Sequence, residues 1–174
     1  WGTALAKVLA EKGDAVALWG RSPAQLEQIA QRRFNDKYLP GIAAGKLRIQ
    51  SMAVTEPTTG TDTTKIKTTA VKKGDSYVIN GTKCFITNGS HADWYTVYAK
   101  TDKEAGHRGI SAFVVPKDDT VTVDKKEDKL GQRASNTATI TFSDTEVPAG
   151  NLLGEENHGF KLAMMTLDRT RPGV

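Results

Sequence analysis

The chain has 174 residues and a mass of 18.8 kDa, enough for one ordinary domain or for one domain and a piece of another. Hydrophobic residues make up 38% and charged residues 25%, and no apolar run approaches the roughly 20 residues of a membrane span, so disordered and membrane-spanning classes are set aside. The net charge of +4 is spread over Lys65, Lys67, Lys72, Lys73, Lys125, Lys126 and others with acids interleaved, with neither a basic helix nor aromatic-interleaved arginine, so nucleic acid is not an expected partner.

Leu5, Val8 and Leu9 share one face of a helix predicted over 3–12, and Gly13 marks its stop. The apolar run 15–19, between Asp14 and Gly20, suits a buried strand. Ser22-Pro23-Ala24-Gln25 supplies an N-cap, a proline at the first helical position and a capping-box glutamine, opening a helix to Arg33 with Leu26 and Ile29 inward. After Tyr38-Leu39-Pro40-Gly41 the character changes. Short β-rich runs are predicted at 66–71, 77–79, 83–87, 94–99, 110–115, 121–123 and 137–142. Turn signals separate them at Lys73-Gly74-Asp75, Asn80-Gly81, Asn88-Gly89-Ser90 and Lys117-Asp118-Asp119. Asn80-Gly81 predicts a type I′ hairpin, because both central residues of that turn need positive φ. So many short strands predict a β-barrel or sandwich. Phe160, Leu162, Ala163, Met164 and Leu167, following the acids Glu155 and Glu156, predict one terminal helix. Cys84, the single cysteine, reads as a small buried hydrophobe in a strand. No N-terminal signal pattern is present, which makes a cytoplasmic location the expectation. The chain opens on Trp1 and stops at Val174 just after a helical pattern, and it reads as a fragment.

Two segments carry the most chemistry. One runs Ser51-Met52-Ala53-Val54-Thr55-Glu56-Pro57-Thr58-Thr59-Gly60-Thr61-Asp62, the other Thr82-Lys83-Cys84-Phe85-Ile86-Thr87-Asn88-Gly89. Thr55 and Thr87 are hydroxyl donors on extended stretches, and Phe85 projects to the same strand face as Thr87. On their own, such residues are ordinary in a barrel. Their order is what distinguishes them. With Ile79-Asn80-Gly81, Gly131-Gln132-Arg133, Val147-Pro148, Gly159-Phe160 and Asp168-Arg169-Thr170-Arg171-Pro172, the block resembles the acyl-CoA dehydrogenase family, from the middle domain into the C-terminal helical domain, over about 43–174. The medium- and short-chain branch is the nearest within it. Thr59 and Lys65 depart from the family's usual small residues, and the turn at 118–120 is shorter than is common.

That resemblance implies a mainly β chain: a flavin-binding middle-domain β-barrel over 43–150, followed by the first helix of a C-terminal domain over 151–174. It implies FAD as cofactor, with Met52, Ala53, Val54, Thr55 and Thr61 lining the flavin and Phe85, Ile86 and Thr87 covering its ring. It implies an acyl-CoA substrate, touched at the thioester by Thr61 and held at the coenzyme A portion by Asp168, Arg169, Thr170 and Arg171. An electron-transfer flavoprotein as acceptor, a homotetrameric parent and no metal belong to the same expectation. The family abstracts an α-proton with a glutamate that lies downstream in this branch. Glu56 belongs to the flavin loop, and Glu155 and Glu156 read as exposed, so the chain is expected to lack its catalytic base and to be inactive alone.

Residues 1–42 resemble a different family, NAD(P)-dependent glycerol-3-phosphate dehydrogenase, through Trp1-Gly2-Thr3-Ala4-Leu5-Ala6, Leu18-Trp19-Gly20-Arg21 and Tyr38-Leu39-Pro40-Gly41-Ile42. The implied fold is an incomplete Rossmann-like α-β-α segment, with Trp1 at the end of a glycine-rich turn and Arg21 where a 2′-phosphate is recognised. The first strand and first two glycines of that fingerprint are absent, so the 15–19 run is predicted to lack a parallel neighbour and the segment to bind no cofactor. The chain therefore reads as a fusion joined between Asn35 and Ile42. Two other readings are an NADP-dependent glycerol-3-phosphate dehydrogenase fragment and a non-catalytic flavin-binding module.

Overall fold

The computed structural model describes Val16–Ala17 and residues 47–170. The helices predicted over 3–12 and 22–33 lie outside these residues, as do Trp1, Arg21 and Arg171. Strand β1 (Val16–Ala17) pairs in parallel with β2 (Leu47–Arg48), Val16 against Leu47 and Ala17 against Arg48. The run predicted to have no parallel neighbour finds one where the chain returns at 47–48.

The other strands form one curled, half-barrel sheet of seven. They are β3 (Gln50–Ala53), β4 (Thr69–Lys73), β5 (Ser76–Thr87), β6 (Trp94–Lys100), β7 (Ile110–Pro116), β8 (Val121–Lys126) and β9 (Thr137–Pro148), followed by helix α1 (Gly159–Thr170). β6 pairs antiparallel with β7 and parallel with β3, and touches β4 at Thr69–Lys100. β4, β5, β9 and β8 then follow as antiparallel neighbours.

Alternating positions put Tyr77, Ile79, Tyr95, Val97, Phe113, Val115, Ile140, Phe142 and Val147 into one core. Aromatic pairs set its shape: Tyr77 and Phe113 lie 4.9 Å apart and tilted, and Tyr95 meets Phe142 edge-on at 5.7 Å. The other side of β6 is covered too. Tyr98, Ile110 and Ala112 join Ile66 and Ala163 in a second cluster, with Met52, Val54 and Phe160 packed against it. Phe160, Ala163, Met164 and Leu167 recur at helical spacing and form the face that α1 turns to this cluster. Gly159 permits the approach, since a Cβ there would lie 2.5 Å from the Ser111 carbonyl carbon.

The Asn80-Gly81 hairpin is not observed. The β4–β5 turn is at Gly74-Asp75, with Gly74 at φ +60°, and β5 runs straight through positions 80 and 81. The Asn80 side chain instead exchanges hydrogen bonds with Asp144, whose φ is +50°, where β9 bulges against β5. Gly81 is required by a long-range approach. Its φ is +150°, and a Cβ would sit 2.4 Å from Thr68 Oγ1 and 2.7 Å from Thr68 Cα. The Asn-Gly signal reports local backbone freedom, and here that freedom serves a strand kink against Thr68. Gly81→Ala is expected to destabilise the sheet by about 2–3 kcal/mol, through backbone strain and overpacking. A urea titration followed by circular dichroism reads that loss directly.

Candidate functional site

A second irregularity in β5 builds the site. Lys83 faces Ile140 and Ile86 faces Ala138, so Cys84 and Phe85 together oppose Thr139 alone. This is a β-bulge, and it re-aims a side chain. Phe85 takes φ +56°, a left-handed conformation that costs a bulky residue about 1–3 kcal/mol. Its ring is turned out of the sheet and is 65% exposed. The next turn continues in the same style, with Asn88 at φ +59° and the Tyr95 hydroxyl fixing the Gly89 carbonyl at 2.8 Å.

Phe85, Ile86 and Thr87 line a cavity of about 390 Å3 together with Gln50, Ser51, Met52, Val54 and Thr55 from the β3 edge and Leu167 from α1. The two segments that carry the chemistry in the sequence are laced to each other across it. Cys84 N donates to Thr55 O at 2.9 Å, and Ser51 Oγ donates to Thr87 O. The hydroxyls of Thr55 and Thr87 have no hydrogen-bond partner among the described residues. Among the described residues, no carboxylate lines this cavity. A smaller cavity of about 50 Å3 runs beneath α1 from Met52 and Val54 to Tyr98 and Ile110.

Behind the cavity wall lies a buried ion pair. Glu56-Pro57-Thr58-Thr59 closes a tight turn, with Glu56 and Thr59 exchanging backbone hydrogen bonds at 3.0 Å. Lys83 Nζ donates to Glu56 Oε1 at 2.9 Å, to Tyr98 O at 2.7 Å and to Val54 O at 3.1 Å, with the Lys83 side chain 0% and Glu56 3% exposed. Glu56 also accepts from Thr68 N, Thr68 Oγ1 and Lys67 N. Every proton of the ammonium and both carboxylate oxygens are satisfied. Burial alone would raise the Glu56 pKa. The Lys83 charge and the bonds from Thr68 and Lys67 outweigh it and leave the carboxyl below its ordinary 4.5. Burial pulls Lys83 down to about 8 against the pull of Glu56, so the ammonium stays charged at neutral pH.

Acid therefore weakens the fold through this pair. A carboxyl with a lowered folded-state pKa contributes stability that is present above 4.5 and is lost as pH falls through the folded value. The unfolding midpoint is expected to drop below about pH 4.5, and Glu56→Gln is expected to flatten that limb. Midpoints from denaturant titrations across the acid range check both.

Of the residues expected at the site, Met52, Val54, Thr55, Phe85, Ile86 and Thr87 come together around the cavity. Ala53 points into the barrel core and is fully buried. Thr61 lies exposed in the loop after the Glu56–Thr59 turn, away from the lining. Asp168 and Arg169 are exposed on the last turn of α1, which ends at Thr170. Glu155 is exposed and paired with His158, while Glu156 accepts from the Tyr77 hydroxyl at 3.0 Å. Gln50, Ser51 and Leu167 as lining residues, and Lys83 as their support, are additions made by the structure. The 83–87 run holds no clear signal for Lys83, because alternation groups it with Phe85 and Thr87 rather than with the buried Cys84 and Ile86.

Two family models match the chain, over ranges that overlap at 51–75. The model of the acyl-CoA dehydrogenase middle domain matches residues 51–145, more than half of the chain, and that of the NAD-dependent glycerol-3-phosphate dehydrogenase N-terminus matches 1–75. A short-chain-specific acyl-CoA dehydrogenase of Megasphaera elsdenii is 48% identical over 142 residues, which is 80% of this chain and 37% of the relative. The crystal structure of acyl-CoA dehydrogenase from Geobacillus kaustophilus superposes with a TM-score of 0.70 at 46% identity, covering 83% of this chain and 40% of that one. A structure described as the electron transferring flavoprotein of Acidaminococcus fermentans, in a study of flavin-based electron bifurcation, gives 0.68 at 48% identity, covering 82% and 38%. The chain thus spans a little over a third of the length of the curated relatives it matches.

Proposed function

The chain belongs to the acyl-CoA dehydrogenase family, and we propose that the cavity between β3, β5 and α1 is the flavin face of an FAD-dependent enzyme that makes the α,β double bond of a short- or medium-chain acyl-CoA. The observation that carries this is the convergence of Met52, Val54, Thr55, Phe85, Ile86 and Thr87 on one cavity, with the Thr55 and Thr87 hydroxyls unpartnered among the described residues. This donor set fits an isoalloxazine, which needs an apolar platform and hydroxyl or amide donors toward its nitrogen- and oxygen-bearing edge. FAD, when bound, supplies the hydride-accepting chemistry.

The chain's own residues bind and orient. Met52 and Val54 offer apolar surface beside Leu167, and Phe85 extends it from the bulge. Thr55, just past β3, and Thr87, at the end of β5, donate from two segments laced to each other. Ala53 contributes through backbone alone, since its side chain faces the core. Thr61, in its exposed loop outside the cavity lining, is the residue this reading assigns to the thioester end of the substrate. Asp168, Arg169, Thr170 and Arg171 form the coenzyme A end of the reading. The parent enzyme would be cytoplasmic and homotetrameric and pass electrons to an electron-transfer flavoprotein, a partner in keeping with the Acidaminococcus fermentans match. The 1–42, 43–150 and 151–174 division stands as part of this proposal, with 1–42 a glycerol-3-phosphate dehydrogenase-like remnant that bears no cofactor.

Incubation with FAD, desalting and a visible spectrum test the reading. Retained flavin bleached by butyryl-CoA supports cofactor and substrate sites together. Retained flavin without bleaching supports a flavin-binding module without turnover. No retained flavin overturns the assignment for this chain.

A further inference from the structure

The backbone around Thr55 is oriented by a lysine that does not line the cavity. Val54 O accepts from Lys83 Nζ at 3.1 Å, and Thr55 O accepts from Cys84 N at 2.9 Å. In a trans peptide the carbonyl and the following N–H point in opposite directions. With the Val54 carbonyl drawn back to Lys83, the Thr55 N–H is turned away from the barrel interior, the direction in which Thr55 lines the cavity. That N–H has no partner among the described residues. Lys83 cannot swing to release the segment, because Tyr98 O and Glu56 Oε1 hold its other two protons at 2.7 and 2.9 Å in a fully buried site.

We propose that Lys83 is a positioning residue for the cofactor site: it holds the Val54–Thr55 peptide so that the Thr55 N–H and hydroxyl face the cavity as a fixed pair of donors. This rests on the flavin reading for its purpose but not for its geometry. A merely structural lysine would stabilise the sheet without setting the orientation of this one peptide. The distinction is measurable in the folded protein.

The test is an amide spectrum of the full chain labelled with 15N-threonine, with hydrogen exchange at Thr55 and Thr87, before and after FAD is added. The comparison is with Lys83→Met, which fills similar space and removes all three donors. In wild type the Thr55 amide is expected to exchange freely and to be protected by FAD. In Lys83→Met the Thr55 resonance moves, Thr87 in β5 keeps its place, and FAD binds about tenfold more weakly, the loss of one oriented donor pair. An unmoved Thr55 resonance with FAD affinity within about twofold of wild type overturns the proposal, since a lost donor would exceed that. A wild type that takes no FAD, with Thr55 still displaced in the variant, removes the flavin reading and leaves the positioning role standing. If Lys83→Met loses its folded spectrum, Glu56→Leu/Lys83→Met removes both charges together and carries the same comparison.

Discussion

Glu56→Ala is expected to lower the unfolding free energy by about 3–5 kcal/mol, the cost of leaving a buried charge without its partner. The Lys83 side chain is 0% exposed, so the ammonium has no route to water once the carboxylate is gone. The same change orphans the Thr68 N–H, the Thr68 hydroxyl and the Lys67 N–H. The effect belongs to the imbalance of charge, not to any large net worth of the pair. Glu56→Leu combined with Lys83→Met removes that imbalance while the Thr68 and Lys67 donors stay orphaned, so it is expected to be less harmful than Glu56→Ala but not neutral, and a double-mutant cycle in urea reads the coupling. A Glu56→Ala loss below about 1 kcal/mol would mean that water reaches Lys83 and that the pair is not a buried one.

Phe142→Ala is expected to cost about 3–5 kcal/mol, the range for removing a buried aromatic ring. Phe142 is 1% exposed, stands opposite Gly81 of β5 and Val121 of β8, and meets Tyr95 edge-on. Neither Gly81 nor Tyr95 can collapse into the gap. Gly81 has no side chain to offer, and Tyr95 is tied through its hydroxyl to Gly89. Phe142→Leu keeps most of the volume and is expected to cost under about 1.5 kcal/mol. Because Tyr95 also fixes the turn after Thr87, Phe142→Ala should loosen the cavity wall and raise hydrogen exchange at positions 88–90 before global unfolding. Equal exchange in wild type and variant would separate the core from the site.

Alternation and turn chemistry carried much of this architecture in the sequence. The runs at 94–99, 110–115 and 137–142 became β6, β7 and the first half of β9, and the spacing of Phe160 to Leu167 became α1. Side chains on a half-buried strand must alternate, so the pattern is written locally. The ordered residues around Thr55 and Thr87 pointed to the family, and Phe85 and Thr87 both line the cavity, with Ile86 between them.

Other features were set by contacts far apart in the chain. Asn80-Gly81 had the composition of a hairpin, yet the close passage of Thr68 and the Asp144 bulge placed it inside β5. β3 and Leu167 reach the cavity only because β6 pairs with β3 and Gly159 lets α1 settle on β7. The Phe85 bulge depends on the register between β5 and β9, which no short window of residues records. What the sequence by itself determined is β6, β7, the first half of β9, the terminal helix and the residue types offered at the candidate site, because local periodicity and residue chemistry are short-range properties. What only the tertiary structure decided is the buried Lys83–Glu56 pair, the outward turn of Phe85 and the closing of the cavity, because burial, register and peptide orientation exist only once distant segments have packed.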